Sequence, residues 1–141
     1  MVKRATPSVT RHSYYLGELL SGSWPLPLVS IFGGSGFARA VRDAVGGGGV
    51  EDTWLNFFCV STDVTHVTSA CHKVGPLAKY VTASMSLSGL LPPVYDLARG
   101  GALLVDGAYC NNLPVDVMKA QFRAARVIGV DVENKVFMFD I

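Results

Sequence analysis

A short apolar run that stops at an acidic turn constrains this chain more than any other stretch. Residues 102–105 read Ala-Leu-Leu-Val, which predicts a buried strand. Asp106 and Gly107 follow, and glycine gives the backbone freedom to turn. Pro114 with Asp116 close behind predicts a helix start. Asp106 is therefore expected at the C-terminal end of a strand, the edge where open α/β sheets bind ligands.

The same dipeptide has an ordinary explanation. Asp-Gly is among the commonest turn sequences. Taken without its neighbours, Asp106-Gly107 favours a structural turn over a catalytic site. Any functional interpretation has to come from the surrounding residues.

Length and composition limit the class of protein. The chain has 141 residues, enough for one domain. Half of the residues are hydrophobic and 16% are charged, which favours a packed core over disorder. The formal net charge of +1 gives no electrostatic reason to expect nucleic acid as a partner. No apolar run approaches the roughly 20 residues that a membrane-spanning helix needs.

The cysteines and histidines do not predict a metal site. Cys59, Cys71 and Cys110 are widely spaced and form no Cys-x-x-Cys pair, so we expect buried free thiols in a reducing compartment. His66 and His72 are six residues apart, which is not a metal-ligand spacing, and we expect surface or half-buried rings. Neither a metal nor a cofactor is predicted.

The periodicity of the rest of the chain predicts alternating strands and helices, the pattern of a layered α/β domain. Residues 36–45 repeat apolar positions at helical spacing, with Ser35 as the expected N-cap. Residues 46–49 are four glycines and predict a flexible break; a phosphate-binding loop would need Lys and Ser/Thr after them. The remaining predicted segments are a strand at 54–60, a strand or hairpin leg at 65–74, a helix at 77–87, a loop at 95–101, a helix at 115–125 and a strand at 126–132.

Five stretches of the chain form a set that occurs in a fixed order. They are Val-Glu-Asp-Thr-Trp at 50–54, Val-Ser-Thr-Asp-Val at 60–64, Ala-Ser-Met-Ser-Leu-Ser-Gly-Leu-Leu-Pro-Pro at 83–93, Asp-Gly-Ala-Tyr-Cys-Asn-Asn-Leu-Pro at 106–114 and Val-Ile-Gly-Val-Asp at 127–131. Taken together, they resemble the patatin-like phospholipase family, and most closely its neuropathy target esterase branch. The resemblance divides the chain into an unassigned segment, 1–28, the C-terminal part of a patatin-like phospholipase domain, 29–132, and a tail, 133–141. The alternative, an unrelated α/β domain, requires five coincidental matches.

The resemblance implies a chemistry for Asp106. Asp106-Gly107-Ala108 matches the family's Asp-Gly-Gly/Ala motif, whose Asp is the partner of a catalytic serine in a Ser-Asp dyad. The implied activity is hydrolysis of carboxylic ester bonds in lysophospholipids or phospholipids, without a cofactor. The resemblance assigns no substrate-binding residue.

The nucleophile that this chemistry needs is not recognisable in the sequence. No serine lies in a Gly-x-Ser-x-Gly elbow, and the nearest match, around Ser35, has Phe37 where the second Gly should be. The glycine run 46–49 is followed by Val50 and Glu51, where the family's oxyanion loop resumes with a basic residue and Gly. We therefore expect an incomplete layered α/β patatin-like fold, which lacks the front strands with the oxyanion loop and the nucleophile elbow.

Two expectations about function follow. The first is a serine esterase of lipid metabolism, present as a fragment that lacks the serine and is inactive by itself. The alternative is a catalytically inactive relic that binds lipid or a partner. The substrate class implies contact with a membrane surface. The family branch implies the cytoplasmic side of the endoplasmic reticulum, reached through segments not seen here.

Overall fold

A computed structural model of the chain describes residues 32–122, 126–131 and 135–140. The predicted N-terminal segment 1–28 lies outside these residues. The parts of the predicted helix and last strand at 123–125 and 132 lie outside them as well.

The main sheet contains four strands in the order β2-β1-β4-β3. The strands are β1 (Cys59–Asp63), β2 (Thr68–His72), β3 (Val94–Asp96) and β4 (Ala102–Asp106). Every neighbouring pair is antiparallel. Only residues 64–67 join β1 to β2, which is enough for a hairpin but too short for the crossover that parallel strands need.

Two helices lie to one side of this sheet. Helix α1 (Gly34–Val45) packs on helix α2 (Leu77–Ser84), and α2 packs on the sheet. A 3₁₀ turn, Val50–Asp52, lies between α1 and β1. The core between α2 and the sheet contains small residues that allow close approach, together with two larger side chains; it comprises Val50, Cys59, Ala70, Tyr80, Ala83, Ala102 and Leu104.

After β4, the residues that the structure describes form two further helices and a separate pair of strands. Helix α3 (Ala108–Asn111) contacts β1 and β2, and helix α4 (Val115–Phe122) contacts β5. Strands β5 (Arg126–Asp131) and β6 (Lys135–Asp140) pair antiparallel with each other in a two-stranded sheet.

The layered α/β class predicted from the sequence is confirmed, and so are several of its segments. The run 102–105 is strand β4, the segment 65–74 contains the second leg of a hairpin, and helices begin at Leu77 and Val115. These segments combine a clear apolar period with a turn or proline at one end, so local sequence is sufficient to specify them.

Other boundaries were wrong. The strand predicted at 54–60 begins only at Cys59, and Trp54 and Leu55 are exposed rather than packed in a sheet. The predicted loop at 95–101 contains most of β3 and a 3₁₀ turn, Leu97–Arg99. The N-cap of α1 is Gly33 rather than Ser35, because the helix begins at Gly34, two residues earlier than a Ser35 cap would allow. The tail, for which no structure was predicted, contains β6.

Candidate active site

Asp106 ends β4, as the sequence predicts, and two hydrogen bonds fix its position. Its backbone N–H donates to the carbonyl of Ser86, just beyond the end of α2, at 2.9 Å. Its carboxylate Oδ1 accepts the N–H of Ala108 at 2.8 Å. The carboxylate therefore caps the short turn that follows it, and it is half-buried. Within the described residues, no serine hydroxyl donates to it.

Gly107 is required for a reason different from the one the sequence suggested. Its φ of −67° and ψ of −22° are ordinary helical values that any residue adopts. A Cβ added to Gly107 would lie 2.3 Å from the carbonyl oxygen of Val60 in β1. The glycine therefore allows the motif to approach β1 closely, and the expected freedom to turn is not used.

Two further hydrogen bonds hold the residues after Gly107 in place. The N–H of Ser88 donates to the Tyr109 hydroxyl at 3.2 Å. The Asn111 side-chain amide donates to Asp116 Oδ1 at 2.7 Å, and this bond is the main reason that the pKa of Asp116 is lowered. Asn111 and Asp116 thus connect α3 to the first turn of α4.

A buried serine–histidine pair lies beside Asp106. Ser61 is the register partner of Asp106 across β1 and β4, so both side chains leave the same face of the sheet. Ser61 Oγ and His72 Nε2 are hydrogen-bonded at 2.7 Å, and both residues are buried. Burial is the main cause that lowers the pKa of His72 to about 4, so the imidazole is neutral at pH 7.

This pair has the residue types of a nucleophile and base, but it is inaccessible. Ser61 is 0% exposed, so a substrate carbonyl cannot reach its hydroxyl. The His72 ring stacks on Tyr80 with the ring centroids 4.0 Å apart. The prediction of a surface or half-buried His72 was wrong, because the hairpin register turns this ring toward α2. His66, in contrast, has a side chain that is 59% exposed and contacts Asp63 at 2.8 Å.

A buried carboxylate joins α2 to β3. Asp96 is 0% exposed and accepts from Lys79 Nζ at 2.7 Å, from the Tyr80 hydroxyl at 3.3 Å and from the Ala98 N–H at 3.2 Å. Burial by itself raises the pKa of Asp96, but the Lys79 ammonium and the other donors outweigh it and hold the pKa below its usual value. No periodic pattern in the sequence indicates this cluster, because Lys79 and Asp96 lie on separate elements, 17 residues apart.

The three cysteines are free, in very different environments. Cys59 is buried, and burial followed by the neighbouring Cys71 raises its pKa to about 12. Cys71 is half-buried and Cys110 is exposed, so the expectation of buried thiols was wrong for Cys110. In the part of the chain that the structure describes, no group of three His, Cys, Asp or Glu residues is placed to hold a metal ion.

Comparison with known proteins gives a consistent set of similarities. The family model described as patatin-like phospholipase matches residues 10–119. A neuropathy target esterase of Drosophila melanogaster is 43% identical over 112 residues, which cover 77% of this chain and 8% of that protein. Patatin-like phospholipase domain-containing protein 6 of Mus musculus is 45% identical over 109 residues, with the same two coverages. A lysophospholipase of Yarrowia lipolytica is 44% identical over 106 residues, 75% of this chain and 7% of that protein.

The chain therefore spans less than a tenth of the length of these relatives. Among the helices that the structure describes, none combines the length and the apolar character needed to cross a bilayer.

Proposed function

Because the chain belongs to the patatin-like phospholipase family, we propose that it is part of a lipid esterase in which Asp106 is the carboxylate of a Ser-Asp dyad. The helices and the small antiparallel sheet are consistent with an incomplete α/β patatin fold. The relatives carry the names neuropathy target esterase, phospholipase and lysophospholipase, which support carboxylic ester bonds of lysophospholipids or phospholipids as the substrate class.

The observation that carries this proposal is the way Asp106 is held. One carboxylate oxygen of Asp106, Oδ1, accepts a hydrogen bond from the Ala108 N–H. The backbone N–H of Asp106 donates to the Ser86 carbonyl. The second oxygen, Oδ2, has no hydrogen-bond partner among the described residues and is left to accept a proton. A general base needs this combination of fixed position and a free lone pair.

In the proposed reaction a serine oxygen bonds to the ester carbonyl carbon while its proton passes to Asp106 Oδ2. The bond to the alcohol part of the lipid then breaks, and the alcohol leaves with that proton. Water attacks the acyl-enzyme and gives a proton to Asp106, and Asp106 returns it to the serine oxygen as the fatty acid leaves. The 141 residues contain no Gly-x-Ser-x-Gly elbow, so the attacking serine comes from polypeptide outside them. By themselves these residues do not hydrolyse esters.

The test joins this chain to the segment that precedes the matched region in the Mus musculus relative. The fusion should hydrolyse lysophosphatidylcholine, and Asp106→Asn should lower kcat at least about a hundredfold, the usual effect of losing a general base. Asp116→Asn is the matched control, because Asp116 bonds Asn111 nearby and should leave kcat unchanged. An active, folded Asp106→Asn fusion rejects the assignment.

A second candidate function is supported by the missing elbow. It is a catalytically inactive relic of the same fold that binds lipid or a partner. A fusion that binds lysophosphatidylcholine but does not react with a serine-directed fluorophosphonate would favour the relic. Labelling of a single serine, together with turnover, would favour the esterase.

The lipid substrate implies contact with a membrane surface, and one exposed segment supports this. Trp54 is fully exposed and Leu55 is 82% exposed. Tryptophan prefers the interface between water and lipid head groups, where its ring can be apolar on one side and hydrated on the other. Glu51 and Asp52 adjoin the segment, so we infer a zwitterionic rather than an anionic surface. We further propose that these residues lie at the cytoplasmic face of the endoplasmic reticulum, which they reach through segments outside this chain.

A further inference from the structure

Ser86 makes a hydrogen bond with each of its three polar groups, and two of the three bonds hold it to the end of helix α2. Its backbone N–H donates to the Ala83 carbonyl at 3.1 Å, and its hydroxyl donates to the Thr82 carbonyl at 2.7 Å. Ser86 is 1% exposed. Since the last carbonyls of a helix have no partner within the helix, Ser86 supplies donors to two of them.

The third polar group of Ser86 bonds the strand that carries the acidic motif. The Ser86 carbonyl accepts the backbone N–H of Asp106 at 2.9 Å. The pairing of β3 with β4 ends at Val94 and Leu104, two residues before Asp106. Ser86 therefore takes the place of a neighbouring strand at the last residue of β4, and it joins that residue to α2.

The backbone of Asp106 is thus held on two sides. On one side, Gly107 lies so close to β1 that an added Cβ would be 2.3 Å from the Val60 carbonyl oxygen. On the other side is the Ser86 bond. Because Oδ1 of the side chain bonds the Ala108 N–H, the direction of Oδ2 follows the position of this backbone.

We propose that Ser86 is a positioning residue for Asp106. Its hydroxyl, bonded to Thr82, fixes the Ser86 carbonyl, and the carbonyl fixes the strand end from which the Asp106 carboxylate projects. A misplacement of about 1 Å at a catalytic group costs up to about a hundredfold in rate, so such a support affects turnover. Only this consequence for turnover rests on the proposed function; the coupling of Ser86 to Asp106 does not.

The coupling is tested in the 141-residue chain by NMR, through the exchange of the Asp106 amide proton with solvent. Ser86→Ala removes the hydroxyl bond to Thr82, and we expect the Asp106 amide to exchange about fivefold faster, the effect of losing one hydrogen bond. Ser86→Thr keeps the hydroxyl, and its added methyl group has room in a cleft of about 280 Å³ that Ser86 lines. This variant should restore slow exchange.

Ser84→Ala is the matched control for the exchange measurement. Ser84 is the last residue of α2 and is half-buried, and its hydroxyl has no hydrogen-bond partner among the described residues. The same substitution there should leave the exchange of the Asp106 amide unchanged. The amides of β1 show whether Ser86→Ala loosens the whole fold, and they should exchange as in the unchanged chain.

The consequence for turnover is tested in the fusion with the segment from the Mus musculus relative. Ser86→Ala should lower kcat for lysophosphatidylcholine about tenfold and leave KM unchanged, and Ser86→Thr should restore kcat. In an Asp106→Asn background, Ser86→Ala should have no further effect, because a residue that acts through Asp106 has nothing to position once the base is removed. A purely structural role would lower kcat by the same factor in both backgrounds.

Equal exchange of the Asp106 amide in folded Ser86→Ala and in the unchanged chain would overturn the coupling. If Ser86→Ala does not fold, the scalar coupling across the hydrogen bond between the Asp106 nitrogen and the Ser86 carbonyl carbon, measured in the unchanged chain, decides instead, and its absence overturns the proposal.

A tenfold loss of kcat that persists in the Asp106→Asn background would overturn the positioning role. A fully active Asp106→Asn fusion would reject the proposed function, but it would leave the exchange measurements on the 141-residue chain unaffected. The two proposals therefore fail through different measurements.

Discussion

Gly107 lies so close to Val60 that a methyl group on its Cα would stand 2.3 Å from the Val60 carbonyl oxygen. The absence of a side chain at Gly107 lets the turn after Asp106 pack directly against the neighbouring strand, β1. The Asp-Gly pair is therefore a packing requirement of the β1–β4 interface as well as a turn, and that requirement fixes the backbone from which the carboxylate projects.

Gly107→Ala should destabilise the chain by about 1–3 kcal/mol, because the added methyl forces β1 and α3 apart. Chemical denaturation would measure the free energy of unfolding. Gly47→Ala is the matched control, since a Cβ at Gly47 meets nothing within 4 Å and no positive φ is recorded there. Equal stability of the two variants would contradict the steric account.

The buried His72 should make folding sensitive to acid. Its pKa is about 4 in the folded chain against 6.5 for an exposed histidine, so the unfolded chain binds more protons between these values. Stability from the neutral ring is fully present above about pH 6.5 and is lost as pH falls toward 4. The free energy of unfolding should drop by at most about 3 kcal/mol over this window.

His72→Gln isolates this effect, because glutamine can still bond Ser61 but does not titrate. Denaturation midpoints measured from pH 7 to pH 4 should fall less in His72→Gln than in the unchanged chain. Parallel curves for the two proteins would assign the acid sensitivity to other groups.

Removing only Lys79 should lower the free energy of unfolding more than removing Lys79 and Asp96 together. Lys79→Met leaves Asp96 buried without its cation and should cost about 3–5 kcal/mol. The double variant Lys79→Met with Asp96→Leu removes both charges and should recover part of that loss. Thermal unfolding of the single and double variants checks this, and a double variant less stable than Lys79→Met would refute it.

The exposed Trp54 segment should contribute to lipid binding without contributing to the fold. Trp54→Ala with Leu55→Ser should reduce sedimentation with phosphatidylcholine vesicles and leave the unfolding temperature unchanged. Tyr95→Ala with Leu97→Ser is the control, since both residues are exposed hydrophobics at a different site. If both double variants sediment like the unchanged chain, Trp54 faces something other than a membrane.

Sequence resemblance and local patterning together identified the family and the position of its acidic motif. The family prediction is confirmed by a model match over residues 10–119 and by relatives 43–45% identical over 77% of the chain. The catalytic role of Asp106 stays a prediction. The strand predicted to begin at residue 54 was wrong there, because Trp54 is exposed and aromatic residues favour a strand only where a sheet can pack against them.

The sequence by itself determined the segments whose apolar period and bounding turns are local: strand β4 with Asp106 at its end, helix α2, and the start of α4 at Val115. Only the tertiary structure decided the strand order, the contact of Gly107 with Val60, the burial of His72 against Ser61 and the pairing of Lys79 with Asp96. The physical reason is distance along the chain: these partners are 11 to 47 residues apart, and no local propensity encodes which distant segments pack together.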